Sequence, residues 1–330
     1  MSNPTPAQIA DRTARVAVLM GGLSTERNVS LKSGKAVLAA LTARGWDAHA
    51  VDVGQDVAAQ LSELRPDVAW IALHGAFGED GCVQGMLELL RIPYTGSGPR
   101  ASAIAMDKVA TKRMLRGTGV RLIPDTTWQR GQPAPALELP LVVKAPNGGS
   151  TIGIAFASTG AELQTALDEI SRFEDTLLIE RMVSGEEITV AVLEGEALPV
   201  VSIRPVDNAH FDFEAKYTEG RTEYLVPAPI EPGVAANAQQ QAVEAYRVLG
   251  LSGVARADFI VDAEGNPWFL EINTLPGMTA TSLSPMAAGA AGMDFPELVE
   301  TLLRAARLHV LLPDPTLAAV PGTRTPAQPG

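Results

Sequence analysis

Arg256, Asp258, Glu271 and Asn273 are spaced so that one face of a two-stranded ribbon could carry all four. Residues 253–275 read as a hairpin, with apolar alternating runs on either side of the short turn Ala263-Glu264-Gly265-Asn266. Pairing Asp262 with Pro267 sets Asp258 opposite Glu271 and Arg256 opposite Asn273. Side chains two apart share a face, so the four form one polar cluster. Two opposed carboxylates repel unless a cation lies between them. An Asp, a Glu and an amide oxygen are hard ligands, of the kind Mg²⁺ takes from a protein while phosphate oxygens and water complete its octahedron. The chemistry on offer is a metal–nucleotide platform. The plain alternative is a solvated face with an Arg–Asp pair.

A nucleotide needs cations, and two lysines stand in suitable places. Lys144 ends the buried strand Leu141-Val-Val-Lys144, directly before the loop Asn147-Gly-Gly-Ser150-Thr151. A lysine leaving a core strand is costly unless its ammonium reaches solvent or an anion. The loop adds backbone N–H groups and the Ser150 and Thr151 hydroxyls, and its glycines allow close approach to phosphates. Lys108 belongs to a separate element. Neither this loop nor Gly21-Gly22 matches the Walker or dinucleotide fingerprint, which argues against a P-loop NTPase and a Rossmann dehydrogenase. Glu180, closing a strand, and Glu187, after the Ser184-Gly185 turn, could accept hydrogen bonds from an adenine amino group and ribose hydroxyls. Surface glutamates are common, so alone these two say little.

The elements that must hold these groups follow from pattern. Arg15–Met20, Asp47–Val53 and Asp67–Leu73 read as strands separated by helices, which predicts an open parallel α/β sheet with sites at the strands' carboxyl ends. Residues 99–122 read as helical. Strands at 141–144, 152–157 and 176–182 with a helix at 161–173 make an α+β middle piece. Antiparallel strands, a long irregular segment at 205–229, a helix at 234–249, the hairpin and two helices after Leu283 follow. The expected domains are 1–97, 98–183 and 184–315, with 316–330 a disordered tail.

Composition bounds the function. The chain has 330 residues and a formal net charge of −12, with no basic stripe, so no nucleic-acid partner is expected. No apolar run is long enough to span a bilayer, and residues 1–15 lack a signal-peptide core, so no membrane is expected and the cytoplasm is the default. Cys82, the single cysteine, reads as a small packing residue on a helix after Gly81.

Read together, several segments resemble the D-alanine–D-alanine ligase family of the ATP-grasp superfamily. They are Gly21-Gly-Leu-Ser-Thr-Glu-Arg-Asn-Val-Ser30, Leu73-His-Gly-Ala-Phe-Gly-Glu-Asp-Gly81, Pro93-Tyr-Thr-Gly-Ser-Gly98, Met106-Asp-Lys108, Lys144 with Gly149–Gly153, Glu214-Ala-Lys-Tyr217, Arg256-Ala-Asp258 and Glu271-Ile-Asn-Thr-Leu-Pro-Gly-Met-Thr279. The resemblance covers about residues 15–310 in order. It implies an ATP-grasp fold with ATP held between the middle and C-terminal domains, and a homodimer. It also implies ligation of two D-alanines for peptidoglycan synthesis.

By the same resemblance, Asp258, Glu271 and Asn273 would hold two Mg²⁺ (or Mn²⁺) ions. Lys108, Lys144, Ser150, Thr151 and Lys216 would contact ATP phosphates, with Glu180 and Glu187 on adenine and ribose. Glu26 would take the first D-alanine's ammonium and His74 would lie near its carboxylate. Arg256 and the Gly277 N–H would form an oxyanion hole, and Ser282 and Leu283 would hold the second carboxylate. Ser150 and Tyr217 would act at the acceptor, Tyr217 from a mobile loop spanning about residues 205–227. The chain departs from the family at Ala145, inserted into the usual Lys-Pro, at Gly148, where a Glu is common, and at Phe213, where a hydroxyl is common. A ligase making D-Ala-D-lactate or D-Ala-D-Ser, or a non-catalytic nucleotide-binding regulator, are the rival readings.

Overall fold

The computed structural model describes residues 12–148, 153–205 and 222–310. The apolar run Arg15–Gly21 forms β1, buried at every position after the first. Strands β2 (Asp47–Val53) and β3 (Val68–Ile71) flank it in the order β2-β1-β3, both parallel to it. The helices α1 (Arg27–Ala43) and α2 (Val57–Leu64) supply the crossovers that parallel neighbours require. This is the parallel sheet the sequence predicts. Helix α3 (Cys82–Leu90) follows. Cys82 is exposed, not packed, because the buried stripe of α3 starts one residue later at Val83 and returns at Leu87.

The expected helix over 99–122 is two helices, α4 (Pro99–Met106) and α5 (Lys108–Leu115). Asp107 breaks it. Its backbone is extended, and its side chain accepts from the N–H groups of Val109 and Ala110 at 2.8 and 3.0 Å, an N-cap that restarts the helix. Lys108 therefore becomes the first residue of α5 and is aimed by the cap.

The middle sheet contains β4 (Asp125–Gln129), β5 (Leu141–Lys144), β6 (Ile154–Ala157) and β7 (Thr176–Arg181), antiparallel in the order β4-β7-β5-β6. Helix α6 (Gly160–Ile170) covers one face, burying Trp128, Leu141, Val143, Leu177 and Ile179. Alternation then puts Asp125, Lys144 and Glu180 on the other face.

The C-terminal sheet runs β11-β10-β8-β12-β13, with β9 on β8. The strands are β8 (Glu186–Leu193), β9 (Glu196–Ala197), β10 (Val201–Pro205), β11 (Thr222–Leu225), β12 (Val254–Val261) and β13 (Pro267–Asn273). Helix α7 (Pro232–Leu249) covers one face. Ala101, Ala105 and Leu115 of α4 and α5 join the same core, which fixes Lys108 against this sheet. Arg121 and Arg181 lie over the Trp268 ring at 5.1 and 5.5 Å, tying the end of β7 to β13.

The hairpin corrects one expectation. Arg256 does pair with Asn273 and Asp258 with Glu271, but nearer the turn the register slips by one, to Phe259–Phe269 and Val261–Pro267. Leu270 is the extra residue, a β-bulge. Strict alternation would put Phe269 on the polar face beside Glu271. The bulge turns Phe269 inward instead, fully buried and edge-on to Phe259 at 5.7 Å, while Glu271 and Asn273 still face outward. Burying one phenylalanine is worth about 2–3 kcal/mol. Asp262 fixes the turn by accepting from Glu264 N, Asn266 N and the Trp268 indole, and Gly265 takes the positive φ the turn needs.

Helices α8 (Leu283–Ala290) and α9 (Phe295–Arg304) pack their buried faces into the core that β1 and α1 share with β8 and β12. On α9, buried Glu300 accepts from Arg44, Arg304 and Arg12. Burial would raise its carboxyl, but hydrogen bonds from Arg304 and Arg44 outweigh that and hold it down to about 2. A depressed carboxylate adds stability above its unfolded pKa of roughly 4.3, and that stability is lost as pH falls toward the folded value. Glu300→Gln should therefore lower stability near pH 7 by about 2 kcal/mol, allowing for solvent around the arginines. Urea midpoints of the two proteins should converge between pH 4.5 and about 2.5; a constant gap would refute the assignment.

Candidate active site

The outward face of the β12–β13 ribbon is the floor of a cleft of 620 Å³ between the three sheets. Arg256 grips Asp258 bidentately, Nε to Oδ1 and Nη2 to Oδ2, both at 2.9 Å. Thr189 Oγ1, from the neighbouring β8, donates to Asp258 Oδ1 at 2.6 Å. Lys108 Nζ lies 2.9 Å from Glu271 Oε2 and donates to the Gly148 carbonyl at 2.6 Å. The two opposed carboxylates are thus each neutralised by a cation of the chain itself. Asn273 Oδ1 accepts from Leu275 N at 2.9 Å, which fixes its amide. Asp258 and Glu271 offer carboxylate oxygens and Asn273 an amide oxygen from one face, hard donors that suit Mg²⁺.

The opposite wall comes from the parallel sheet. Glu26, immediately before α1, and His74, just beyond β3, both line the cleft at the carboxyl ends of their strands. His74 is buried, with Nε2 3.2 Å from Ser33 Oγ and Nδ1 3.4 Å from Glu79 Oε1. Ser33 Oγ also accepts from Met278 N at 3.2 Å, so the imidazole is held between Ser33 and Glu79. The third wall is the segment from Gly277 to Leu283. Ser282 is the N-cap residue of α8, and its Oγ accepts from Thr279 N at 3.1 Å. The unsatisfied N–H groups of a helix start favour an anion there.

On the face of the middle sheet turned away from α6, Lys144 meets a carboxylate. Lys144 Nζ pairs with Glu180 Oε2 at 2.5 Å, and Lys112 pairs with the same carboxylate. Burial alone would push the Glu180 carboxyl up, but the two ammonium groups override it and keep it below the usual range. Glu180 is thus turned toward lysines and is not among the cleft-lining residues. Glu187, half-buried on β8, shares the face of Thr189 and Asp258.

Ten of the expected site residues therefore line one cleft: Glu26, His74, Lys108, Arg256, Asp258, Glu271, Asn273, Gly277, Ser282 and Leu283. Ser150, Thr151, Lys216 and Tyr217 lie outside the described residues, as do Phe213, most of the 205–227 segment and the expected tail. Sequence reasoning missed Thr189, Ser33, Glu79 and Lys112. Two had a readable signal: Thr189 is two residues beyond Glu187 on the same strand face, and Lys112 is one helical turn beyond Lys108.

Two antiparallel sheets follow the parallel one, and the second carries opposed carboxylates on the floor of the cleft that Lys108 enters, an arrangement of the ATP-grasp class of fold. The chain belongs to the D-alanine–D-alanine ligase family. The family model for the D-ala D-ala ligase C-terminus matches residues 123–304, and that for the N-terminus matches residues 54–97. The chain is 49% identical over 297 residues to the D-alanine–D-alanine ligase of Syntrophotalea carbinolica, covering 89% of this chain and 97% of that protein. It is 48% identical over 303 residues to that of an Anaeromyxobacter species, with the same coverage. Among solved structures it is similar to the Bacillus anthracis enzyme complexed with ATP, at a TM-score of 0.78 and 32% identity, over 89% of this chain and 97% of that one.

Proposed function

We propose that this chain joins two D-alanines into D-alanyl-D-alanine at the expense of ATP, supplying a peptidoglycan precursor in the cytoplasm as a homodimer. The observation that carries the reading is one cleft in which Glu26 and His74 face the Arg256–Asp258 and Lys108–Glu271 pairs. Asp258, Glu271 and Asn273 would hold two Mg²⁺ or Mn²⁺ ions, which would offset charge on the transferred phosphoryl group.

The chain's own groups do the rest. Glu26 accepts the first D-alanine's ammonium, and His74, held between Ser33 and Glu79, orients the carboxylate. Lys108, Lys144, Ser150, Thr151 and Lys216 hold the ATP phosphates, with Glu187 on the ribose side. The carboxylate oxygen attacks the γ-phosphorus, the bond to ADP breaks, and a D-alanyl phosphate forms. The amine of the second D-alanine, held by Ser282, Leu283 and the α8 N-terminus, then attacks the acyl carbon. Arg256 and the Gly277 N–H stabilise the oxyanion. Phosphate leaves, the amine loses a proton, and an amide remains. Ser150 and Tyr217 support the acceptor, and Tyr217 favours D-alanine over D-lactate there.

ADP release should depend on D-alanine, with D-alanyl-D-alanine as product. ADP formation indifferent to D-alanine would overturn the reading. The Thr189 hydroxyl should matter through Asp258: Thr189→Val is expected to raise the Mg²⁺ concentration for half-maximal activity about tenfold, as loss of a ligand-orienting hydrogen bond does. An unchanged Mg²⁺ titration would count against Asp258 as a ligand.

A further inference from the structure

Asp125 on β4 lies directly opposite Glu180 on β7, and Lys144 on β5 is the diagonal neighbour of Glu180 on the same face. Opposed carboxylates so placed need a cation between them, and here the cation is Lys112 of α5. Lys112 and Glu180 are each only 1% exposed. The Lys112 ammonium is fully used: it contacts the Glu180 carboxylate, donates to the Ile123 carbonyl at 2.8 Å and lies 3.4 Å from Asp125 Oδ1. Asp125 has a second partner in Arg116 Nη2 at 2.7 Å.

The charges of this cluster do not balance. Lys112, Lys144 and Arg116 give three cations against the two carboxylates Asp125 and Glu180. Arg116 serves Asp125 and Lys112 serves Glu180, so Lys144 is the surplus. Its side chain is the more accessible of the two lysines, 11% exposed against 1%, and it ends β5 at the loop that Lys108 also contacts.

We propose that Lys112 is a positioning residue, a fixed counter-ion that keeps the buried Glu180 carboxylate paired while Lys144 moves from Glu180 to a phosphate of the bound nucleotide. Without Lys112, that move would strand a carboxylate in the interior, which is strongly unfavourable. Glu180 would then hold Lys144 back. The inference rests on the nucleotide-binding part of the proposed function, and extends it to a residue that does not touch the ligand.

The test compares Mg²⁺-ATP and adenosine binding to the full chain by calorimetry. Lys112→Met should weaken ATP about tenfold, a part of what a disturbed buried charge pair can cost, and leave adenosine unchanged. The KM for ATP should rise by a similar factor while kcat stays within about threefold. Removing the buried carboxylate as well should abolish the effect, so Lys112→Met/Glu180→Gln should bind ATP as tightly as Glu180→Gln alone. Equal weakening of ATP and adenosine would mean a structural role only, and no weakening of either would mean no role; both overturn the proposal. Should Lys112→Met fail to fold, the comparison of Glu180→Gln with the double variant decides, and a double variant still about tenfold weaker than Glu180→Gln sinks the idea. A wild-type chain that binds ATP but forms no dipeptide would defeat the ligase reading and leave this one standing. Normal dipeptide formation with ATP binding unaffected in Lys112→Met would do the reverse.

Discussion

Glu271→Gln should lower turnover by about a thousandfold, the scale expected when a charge stabilising phosphoryl transfer is lost, while the protein melts close to wild type. The substitution is isosteric, and Gln keeps an oxygen in place but no negative charge. Seen from sequence alone, it should relieve repulsion between Asp258 and Glu271 and so stabilise the ligand-free protein. The geometry removes that gain. Asp258 is held by Arg256 and Glu271 by Lys108, so no repulsion is left to relieve. Glu271 is also 35% exposed at its side chain, and a partly exposed pair contributes at most about 1 kcal/mol. Lys108 keeps the Gly148 carbonyl as an acceptor. The expected melting temperature is thus unchanged or slightly lower, never clearly higher. Initial rates of D-alanine-dependent ADP release across a Mg²⁺ titration, beside a melting curve, separate the two effects. Turnover near wild type at saturating Mg²⁺ would show that Glu271 is not part of the metal platform.

What sequence could and could not reveal divides along the range of the interactions involved. The pairing of Arg256 with Asn273 and of Asp258 with Glu271 was readable because period-two alternation carries a face along a strand. The Leu270 bulge was not, because it depends on Phe269 finding Phe259 and the helices behind the sheet, a tertiary gain that overrides local register. The parallel order β2-β1-β3 followed from apolar runs joined by helices. The break at Asp107 was missed because the residues around it favour helix, and only the cap reveals it. That Glu180 closes a strand is legible from its local pattern. Its pairing with Lys112 joins residues 68 apart in sequence, and no local pattern encodes that. Gly148 replaces a carboxylate common in the family, yet its carbonyl anchors Lys108, a role any residue's backbone could fill.

Arg256 carries the second large effect, and its two duties can be pulled apart. In the cleft it neutralises Asp258, which is 3% exposed. In the proposed reaction it faces the oxyanion formed when the amine attacks. Arg256→Met removes both duties. It should cost about 2 kcal/mol or more in stability, because a buried carboxylate loses its partner. It should also lower turnover by about 10²–10³, as loss of an oxyanion donor does. Arg256→Lys returns the charge but not the planar fork that spans both Asp258 oxygens at 2.9 Å. Stability should therefore recover most of the way while turnover stays about a hundredfold low. A further sign distinguishes the step affected. Phosphoryl transfer precedes amine attack, so slowing only the attack leaves the D-alanyl phosphate longer exposed to water. ADP formed per dipeptide should then rise above one in both variants, and the rise should be larger in Arg256→Met. If Arg256→Lys regains turnover together with stability, or if ADP and dipeptide stay equal in both variants, Arg256 serves only as the counter-ion of Asp258 and the oxyanion must be met by other donors.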